Sequence, residues 1–186
     1  MASVRGAQPV LTGSRVLLRP WAPVDAEDVF AACQDAEIQR WVPIPSPYAR
    51  SDAVSYVSKL APAAWEDGGA VFAVVEPATH RVAGSIGAHS MSDGVAHVGY
   101  WTTAAARGHG FTSDALRTIT GWFLREGGAV RVELVVEPAN RGSVRVAEAA
   151  GFTREGLLRQ RLNLRGRQVD VAMYSMLARD AAAAKL

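Results

Sequence analysis

The chain has 186 residues, of which 49% are apolar and 20% charged, and its formal net charge is +2. This length supports one hydrophobic core, and the composition excludes a globally disordered protein. The mild positive charge permits an anionic ligand but does not indicate nucleic-acid binding, which needs basic residues concentrated on one face.

The single cysteine, Cys33, excludes an internal disulfide and a cysteine-based zinc cluster. It follows the apolar stripe of a predicted helix with no basic motif beside it, so we expect a buried and inert thiol. The N-terminal residues contain no continuous apolar region, and no segment approaches membrane-spanning length. We therefore expect a cytoplasmic protein without membrane association.

The first part of the chain predicts a tail, a strand and a helix. Residues 1–12 are expected to form a flexible N-terminal tail, and residues 13–180 a single domain. Residues 15–19 predict a short strand that ends at a proline. Asp25 is the expected N-cap of the first helix, because acidic side chains favour the positive end of a helix.

Prolines and glycines divide the next segment. The proline-rich stretch 41–48 predicts a loop with exposed aromatic residues. Trp41 and Tyr48 are candidates for lining an acceptor groove, and a packed loop is equally compatible with the sequence. Ser51 is the expected N-cap of a second helix that ends at Gly68-Gly69. Residues 70–76 and 81–91 flank a short turn and predict a hairpin.

The second half alternates between strand-like and helix-like segments. A strand at 95–101 precedes a glycine-containing turn and a helix with an apolar stripe. A strand at 130–137 precedes a short helix at 141–150, and two strands around Arg165-Gly166 close the chain. This order predicts an α/β protein with one mixed sheet in a single domain.

The turn between the strand at 95–101 and its helix reads "RGHGFT", residues 107–112. A helix N-terminus leaves backbone N–H groups without partners, and glycines let a ligand approach them closely. An anion, most naturally a pyrophosphate, fits such a turn. The dinucleotide-binding fingerprint does not match, because Ser113 stands where its third glycine belongs. On this hexapeptide alone, a tight turn that binds nothing is equally compatible.

The same residues resemble the acyl-CoA-binding motif of the GNAT superfamily of N-acetyltransferases, Arg/Gln-x-x-Gly-x-Gly/Ala, with Thr112 departing at the last position. The resemblance extends over residues 12–178. Five segments occur in the order typical of the RimJ/RimL branch, which acetylates α-amino groups of ribosomal proteins and includes relatives that act on other amines. They are "LLRPWAPVDAEDVF", "VGYW", "ARGHGF", "VEPANRGSVRVAEAAGF" and "EGLLRQRLNLRGRQVDVAMYSML".

This resemblance implies a single-domain GNAT fold: a mixed, mostly antiparallel sheet flanked by helices, with splayed central strands that hold acetyl-CoA. It also implies that acetyl-CoA is the acetyl donor. Backbone groups of the glycine turn would bind its pyrophosphate, and the strand before the turn would bind its pantetheine arm. The implied cofactor-binding residues are Val98, Gly99, Tyr100, Trp101, Arg107, Gly108, His109, Gly110, Phe111, Thr112, Asn140 and Ser143.

Four residues are candidates for catalysis. The resemblance places the Ser143 hydroxyl near the leaving sulfur, although it could instead only cap a helix. Many relatives carry Glu where this chain has His97. An imidazole, with an unperturbed pKa near 6.5, can accept a proton from an α-amine at neutral pH, but His97 could equally be a structural residue. Glu133 and Glu137, on the adjoining strand, are the alternative bases.

The leading interpretation is an acetyl-CoA-dependent N-acetyltransferase that acts on the α-amine of a protein or peptide. Two alternatives stay open: acetylation of a small-molecule amine, and a non-catalytic CoA-binding regulatory module. A metal is not expected, because His89 and His97 lack a third ligand at sensible spacing. The apolar face of the closing strands, 152–178, suggests a weak homodimer. The expected solvated basic face comprises Arg154, Arg159, Arg161, Arg165 and Arg167.

Overall fold

The structure, a computed structural model, describes residues 6–183, so the first five residues of the predicted tail lie outside it. Within the described residues, one sheet has the strand order β1-β2-β3-β4-β5-β7-β9-β8, and β6 also pairs with β4. Every pairing is antiparallel except that of β5 with β7. The strands are β1 (Leu11–Thr12), β2 (Leu17–Pro20), β3 (Gly68–Val75), β4 (Val82–Ser92), β5 (Val95–His97), β6 (Gly99–Thr102), β7 (Arg131–Val136), β8 (Thr153–Leu164) and β9 (Arg167–Leu177).

Helices flank this sheet, which confirms the predicted α/β architecture with a mixed, mostly antiparallel sheet. A π-helical turn, Tyr56–Leu60, joins α3 to α4 without a break. The helices are α1 (Ala26–Ala32), α2 (Ala36–Trp41), α3 (Arg50–Ser55), α4 (Ala61–Glu66), α5 (Phe111–Arg125), α6 (Arg141–Ala149) and α7 (Ala178–Ala183).

The predicted tail, residues 1–12, includes two residues that belong to the folded domain. Leu11 and Thr12, assigned to the tail, form β1 and pair with Leu18 and Leu17. Leu11 also packs against the main core. Two residues are too short to show strand periodicity in a sequence, and only the pairing with β2 defines them as a strand.

Of the two predicted helix caps, one holds in position and the other is wrong. Asp25 is the N-cap residue of α1, but its carboxylate accepts hydrogen bonds from the Ala22 N–H and the Arg19 guanidinium and makes no cap hydrogen bond to α1. In α3, the N-cap is Ala49 and Ser51 lies inside the first turn. The Ala49 N–H donates to the Asp52 carboxylate, which sets the start of α3 two residues before Ser51.

The short helix α2 was missed, because its last residue, Trp41, was assigned to the proline-rich loop. Asp35 caps α2 by accepting hydrogen bonds from the N–H groups of Glu37 and Ile38. Six residues are too few for an apolar period to stand out. The helix α7, within the expected strand-rich C-terminal part, was missed for the same reason.

Residues 95–101 were predicted as one strand, but the structure divides them at Val98 into β5 and β6. The β5 strand pairs in parallel with β7 as far as His97 and Glu133. The Val98 N–H then donates to the Glu133 carbonyl, 2.8 Å away. Beyond Val98, β6 pairs only with β4 and leaves β7. The central strands are therefore splayed, as the resemblance implied.

The core lies on both faces of the sheet. In β3, Ala70, Phe72 and Val74 pack on the face covered by α5 and α6, and the intervening residues pack on the face covered by α1 to α4. Cys33 belongs to the second cluster, where burial raises the pKa of its thiol to about 11. The predicted burial of the Cys33 thiol is therefore confirmed, whereas its inertness stays a prediction.

A buried carboxylate fixes the start of α5. Asp114 accepts hydrogen bonds from the Ser14 hydroxyl at 2.6 Å and from the Arg15 N–H at 2.7 Å. Burial acts to raise the pKa of Asp114, but these hydrogen bonds outweigh burial and hold it below its ordinary value. The loop before β2 is thereby attached to the helix that follows the glycine turn.

We predict that Asp114→Ala destabilises the protein by about 2–3 kcal/mol, because it removes two hydrogen bonds to a buried charged group. Urea unfolding measures the loss, with the exposed Asp28→Ala as the matched control, for which we expect under about 0.5 kcal/mol. Because the folded pKa of Asp114 is depressed, its contribution is present above about pH 4 and disappears as the pH falls further. Equal unfolding midpoints for the two variants would contradict this.

Candidate active site

A cleft of about 1000 Å³ opens where β6 and β7 separate. One wall is β6, the other is β7 with the start of α6, and the turn before α5 closes one end. Backbone groups alternate in direction along an antiparallel strand. Because the Thr103 N–H bonds to the Ala83 carbonyl of β4, the N–H and C=O of Tyr100 point into the cleft. The cleft therefore offers main-chain hydrogen bonds to an extended ligand.

The glycine turn has the backbone that its sequence predicted. Gly108 and Gly110 both lie in the left-handed region, with φ of 81° and 76°. At Gly108 there is no atom within 4 Å of an added Cβ, and at Gly110 only Arg15 Cδ lies at 3.9 Å. Gly110 is the N-cap of α5, so the first N–H groups of that helix face open space. The backbone N–H groups of such a turn can bind an anion.

The departure from the motif at Thr112 has a structural explanation. The Thr112 hydroxyl lies 2.6 Å from the hydroxyl of Thr102 at the end of β6. Its side chain is therefore bonded to the cleft wall while its backbone stays in the first turn of α5. The larger residue thus leaves the helix N-terminus intact.

The remaining motif residues point elsewhere. Arg107 borders the cleft, and its guanidinium donates to Asp35, the N-cap of α2, at 2.8 Å. His109 is exposed, and its ring stacks on Phe111 at 5.6 Å. Neither His109 nor Phe111 has a side chain among the cleft lining within the described residues. Any contribution of these two to ligand binding would come from their backbone.

Asn140 and Ser143 meet at the start of α6. The Asn140 side chain caps the helix by accepting a hydrogen bond from the Ser143 N–H at 3.0 Å. The Ser143 hydroxyl donates to the Tyr100 hydroxyl at 2.8 Å, across the cleft wall. Burial raises the pKa of Tyr100 to about 12, although the hydrogen bond with Ser143 acts in the opposite direction. At neutral pH the phenol therefore keeps its proton.

His97 and Glu133 form a pair at the last paired position of β5 and β7. The Nδ1 atom of His97 lies 3.2 Å from the Glu133 carboxylate, and half of the His97 side chain is exposed. Glu133 also accepts a hydrogen bond from Arg131. Burial acts to raise the pKa of Glu133, but the hydrogen bonds from Arg131 and His97 outweigh it and lower the pKa. His97 lines the cleft, whereas Glu133 lies behind it.

At the open mouth of the cleft, the sequence analysis assigned Trp41 and missed its neighbours. Helix α2 contributes Glu37, Arg40 and Trp41; the Trp41 Nε1–H donates to Glu37, and the Arg40 guanidinium lies over the indole ring. Leu162 and Leu164 of β8 also line the cleft and are apolar. Spacing along α2 could have indicated Glu37 and Arg40, had the helix been recognised.

Three further findings concern the other expectations from the sequence. Among the described residues, no group of His, Cys, Asp or Glu could hold a metal ion. None of the described helices has the length and hydropathy needed to cross a membrane. The five arginines of the expected basic face are all exposed, as predicted.

Comparison with known proteins identifies the family. The acetyltransferase (GNAT) domain family matches residues 15–153, which is most of the chain. The N-acetyltransferase YoaA of Bacillus subtilis, itself uncharacterized, is 27% identical over 171 residues, covering 91% of this chain and 97% of YoaA. The chain belongs to the GNAT family of acetyltransferases, enzymes whose acetyl donor is acetyl-CoA.

Solved structures share the fold. RimJ of Mycobacterium smegmatis, in complex with CoA-disulfide, has a TM-score of 0.84 at 22% identity, with 95% of each chain covered. RimL, a ribosomal L7/L12 alpha-N-protein acetyltransferase in complex with coenzyme A, has a TM-score of 0.83 at 20% identity, with 93% of this chain and 99% of RimL covered. The predicted single-domain GNAT fold is therefore confirmed.

The residues present fit acetyl-CoA. The glycine turn provides open N–H groups for a pyrophosphate, and the splayed strands provide an exposed backbone edge for an extended amide chain. Tyr100 contributes backbone groups to that edge, and Asn140 and Ser143 border it.

We predict that Gly110→Val weakens CoA binding by about 100-fold, because the valine side chain blocks close approach to two or more charge-assisted N–H donors. Isothermal titration with CoA measures the affinity. Gly166→Val is the matched control. Gly166 has the same φ of 76°, and no atom lies within 4 Å of a Cβ added there, but it belongs to the turn between β8 and β9. Wild-type affinity in Gly110→Val would show that the glycine turn is not the phosphate site.

Proposed function

We propose that this enzyme transfers the acetyl group of acetyl-CoA to the α-amine of a protein or peptide, in the manner of the RimJ/RimL branch. The observation that carries the proposal is the His97–Glu133 pair, which borders the cleft at the point where the strands part. Fold similarity to RimJ and RimL supports it. A cytoplasmic location and a weak homodimer stay predictions.

On the donor side, each residue has a binding or polarising role. The backbone of residues 108–112 binds the pyrophosphate, and the side chain of Asn140 keeps α6 in place beside the pantetheine arm. The backbone edge of β6 binds the arm, and the Tyr100 N–H, which points into the cleft, polarises the thioester carbonyl. The Val98 N–H is not available, because it already bonds to Glu133. Acetyl-CoA itself supplies an activated acyl group with a thiolate as its leaving group.

On the acceptor side, His97 is the proposed base. With Nδ1 held by the Glu133 carboxylate, the imidazole presents Nε2 as the acceptor for a proton from the amine. Glu133, predicted as catalytic, fits the role of orienting His97, because two hydrogen bonds lower its pKa and it lies behind the cleft. Such an arrangement corresponds to the carboxylate–histidine part of a hydrolase triad.

An α-amine suits this base better than a lysine. The unperturbed pKa of an α-amine is near 8 and that of lysine near 10.4, so at pH 7 the neutral fraction of the α-amine is larger by about two orders of magnitude. A base that acts near neutral pH can complete the deprotonation of the α-amine with little help.

The test is a panel of acceptors at pH 7, with release of CoA as the signal. We expect peptides with a free N-terminus to have kcat/KM about 100-fold higher than the same peptides with a blocked N-terminus and one free lysine. Small amines such as polyamines and free amino acids complete the panel. Preference for a small amine, or equal use of lysine and α-amine, would contradict the proposal.

We also predict that His97→Gln lowers kcat/KM at pH 7 by roughly 10²-fold, because glutamine can bond to Glu133 but cannot take the proton. The loss should narrow toward pH 9, where the α-amine becomes neutral without help. His89→Gln, on the neighbouring strand β4, is the matched control and should keep wild-type activity. A His97→Gln variant with an unchanged pH profile would show that His97 is not the base.

A further inference from the structure

The hydroxyl pair of Tyr100 and Ser143 has an arrangement that a capping role does not explain. The Ser143 hydroxyl donates to the Tyr100 oxygen at 2.8 Å, and the Tyr100 hydroxyl donates back to the Ser143 carbonyl at 3.3 Å. The second bond is long and therefore weak. Among the described residues, the Tyr100 hydroxyl forms hydrogen bonds with two oxygens, and both belong to Ser143.

This arrangement directs the Ser143 proton away from the cleft. If Ser143 is to donate a hydrogen bond to the sulfur that leaves the thioester, its O–H must turn from Tyr100 toward the cleft. The serine oxygen then needs a donor of its own. The Tyr100 O–H can provide one by leaving the weakly held Ser143 carbonyl, because the two hydroxyl oxygens are already 2.8 Å apart.

We propose that Tyr100 is a positioning residue whose phenol reverses the direction of this hydrogen bond, so that Ser143 can stabilise negative charge on the leaving sulfur. The proposal rests on the proposed function, which places Ser143 beside that sulfur. Reversal moves two hydrogen atoms and no heavy atom. Each hydroxyl keeps its proton, since an alcohol is a weaker acid than a thiol, and the thiolate takes its proton from solvent.

The environment of Tyr100 favours this role. Because burial raises the pKa of Tyr100 to about 12, the phenol remains a donor throughout the neutral range. Its ring packs against the main core, which fixes the position of its oxygen. Ser143 is fixed as well, because its N–H is bonded to Asn140. A chain of two aligned hydroxyls donates more strongly than one, since each bond polarises the next.

The test measures how readily the thiol of bound CoA ionises, which requires no acceptor. Ultraviolet absorbance of the thiolate is followed against pH below about pH 10 in the complex with CoA. Cys33 gives the same background in every variant. We expect Ser143→Ala to reduce the ionisation constant of the bound thiol about tenfold, and Tyr100→Phe about threefold.

The double variant separates a positioning role from a structural one. Because Tyr100 acts only through Ser143, Tyr100→Phe combined with Ser143→Ala should match Ser143→Ala alone. In acetyl transfer, Tyr100→Phe should lower kcat several-fold and leave the KM for acetyl-CoA and the affinity for CoA unchanged. Tyr174→Phe, the same change at another buried tyrosine of the same core cluster, is the matched control and should resemble the wild type.

Each outcome has one meaning. Wild-type thiol ionisation in Tyr100→Phe, or additive effects in the double variant, would overturn the inference and leave the proposed function standing. A wild-type ionisation constant of the bound thiol in Ser143→Ala would overturn both the inference and the placement of Ser143 beside the sulfur. Failure of every amine in the acceptor panel would instead affect only the proposed acceptor.

Discussion

The parting of two neighbouring strands after Val98 is the constraint on which the site depends. As far as His97 and Glu133, β5 and β7 satisfy each other's backbone groups, and the Val98 N–H makes the last bond between them. Beyond that point, β6 pairs only with β4, and β7 pairs only with β9. Exposed backbone edges need partners, so the cleft is a place where a strand-like ligand can complete the sheet.

Two pairs of side chains stand beside this opening, and each is held by the sheet or by a helix. His97 and Glu133 face each other across the last paired position, and Arg131 fixes the carboxylate. Tyr100 and Ser143 meet where β6 approaches α6. Because rigid elements hold all of them, the groups that would take a proton from the amine and stabilise charge on the sulfur need not be ordered when the ligands bind.

Local patterns predicted the parts of the site that depend on a few consecutive residues. The glycine turn and the start of α6 at Arg141 are of this kind, because positive φ angles and helix starts are set by near neighbours. Apart from Trp41, the mouth of the cleft was not predicted. It combines α2 with β8, which lie more than a hundred residues apart in the chain, and α2 is too short to show an apolar period. Contacts of this kind leave no signal in local spacing.

The sequence by itself determined the alternation of strands and helices, the glycine turn before α5 and the family, because these follow from periodicity, glycine positions and motif order. Tertiary structure decided that the strand at 95–101 breaks at Val98, because two different neighbours, β4 and β7, compete for its edges. The tertiary structure also decided which side chains form hydrogen bonds with each other in the site. Glu133 binds His97 and Arg131, and Tyr100 binds Ser143 from 43 residues away. A hydrogen bond forms between atoms that meet in space, and only the folded sheet determines which atoms meet.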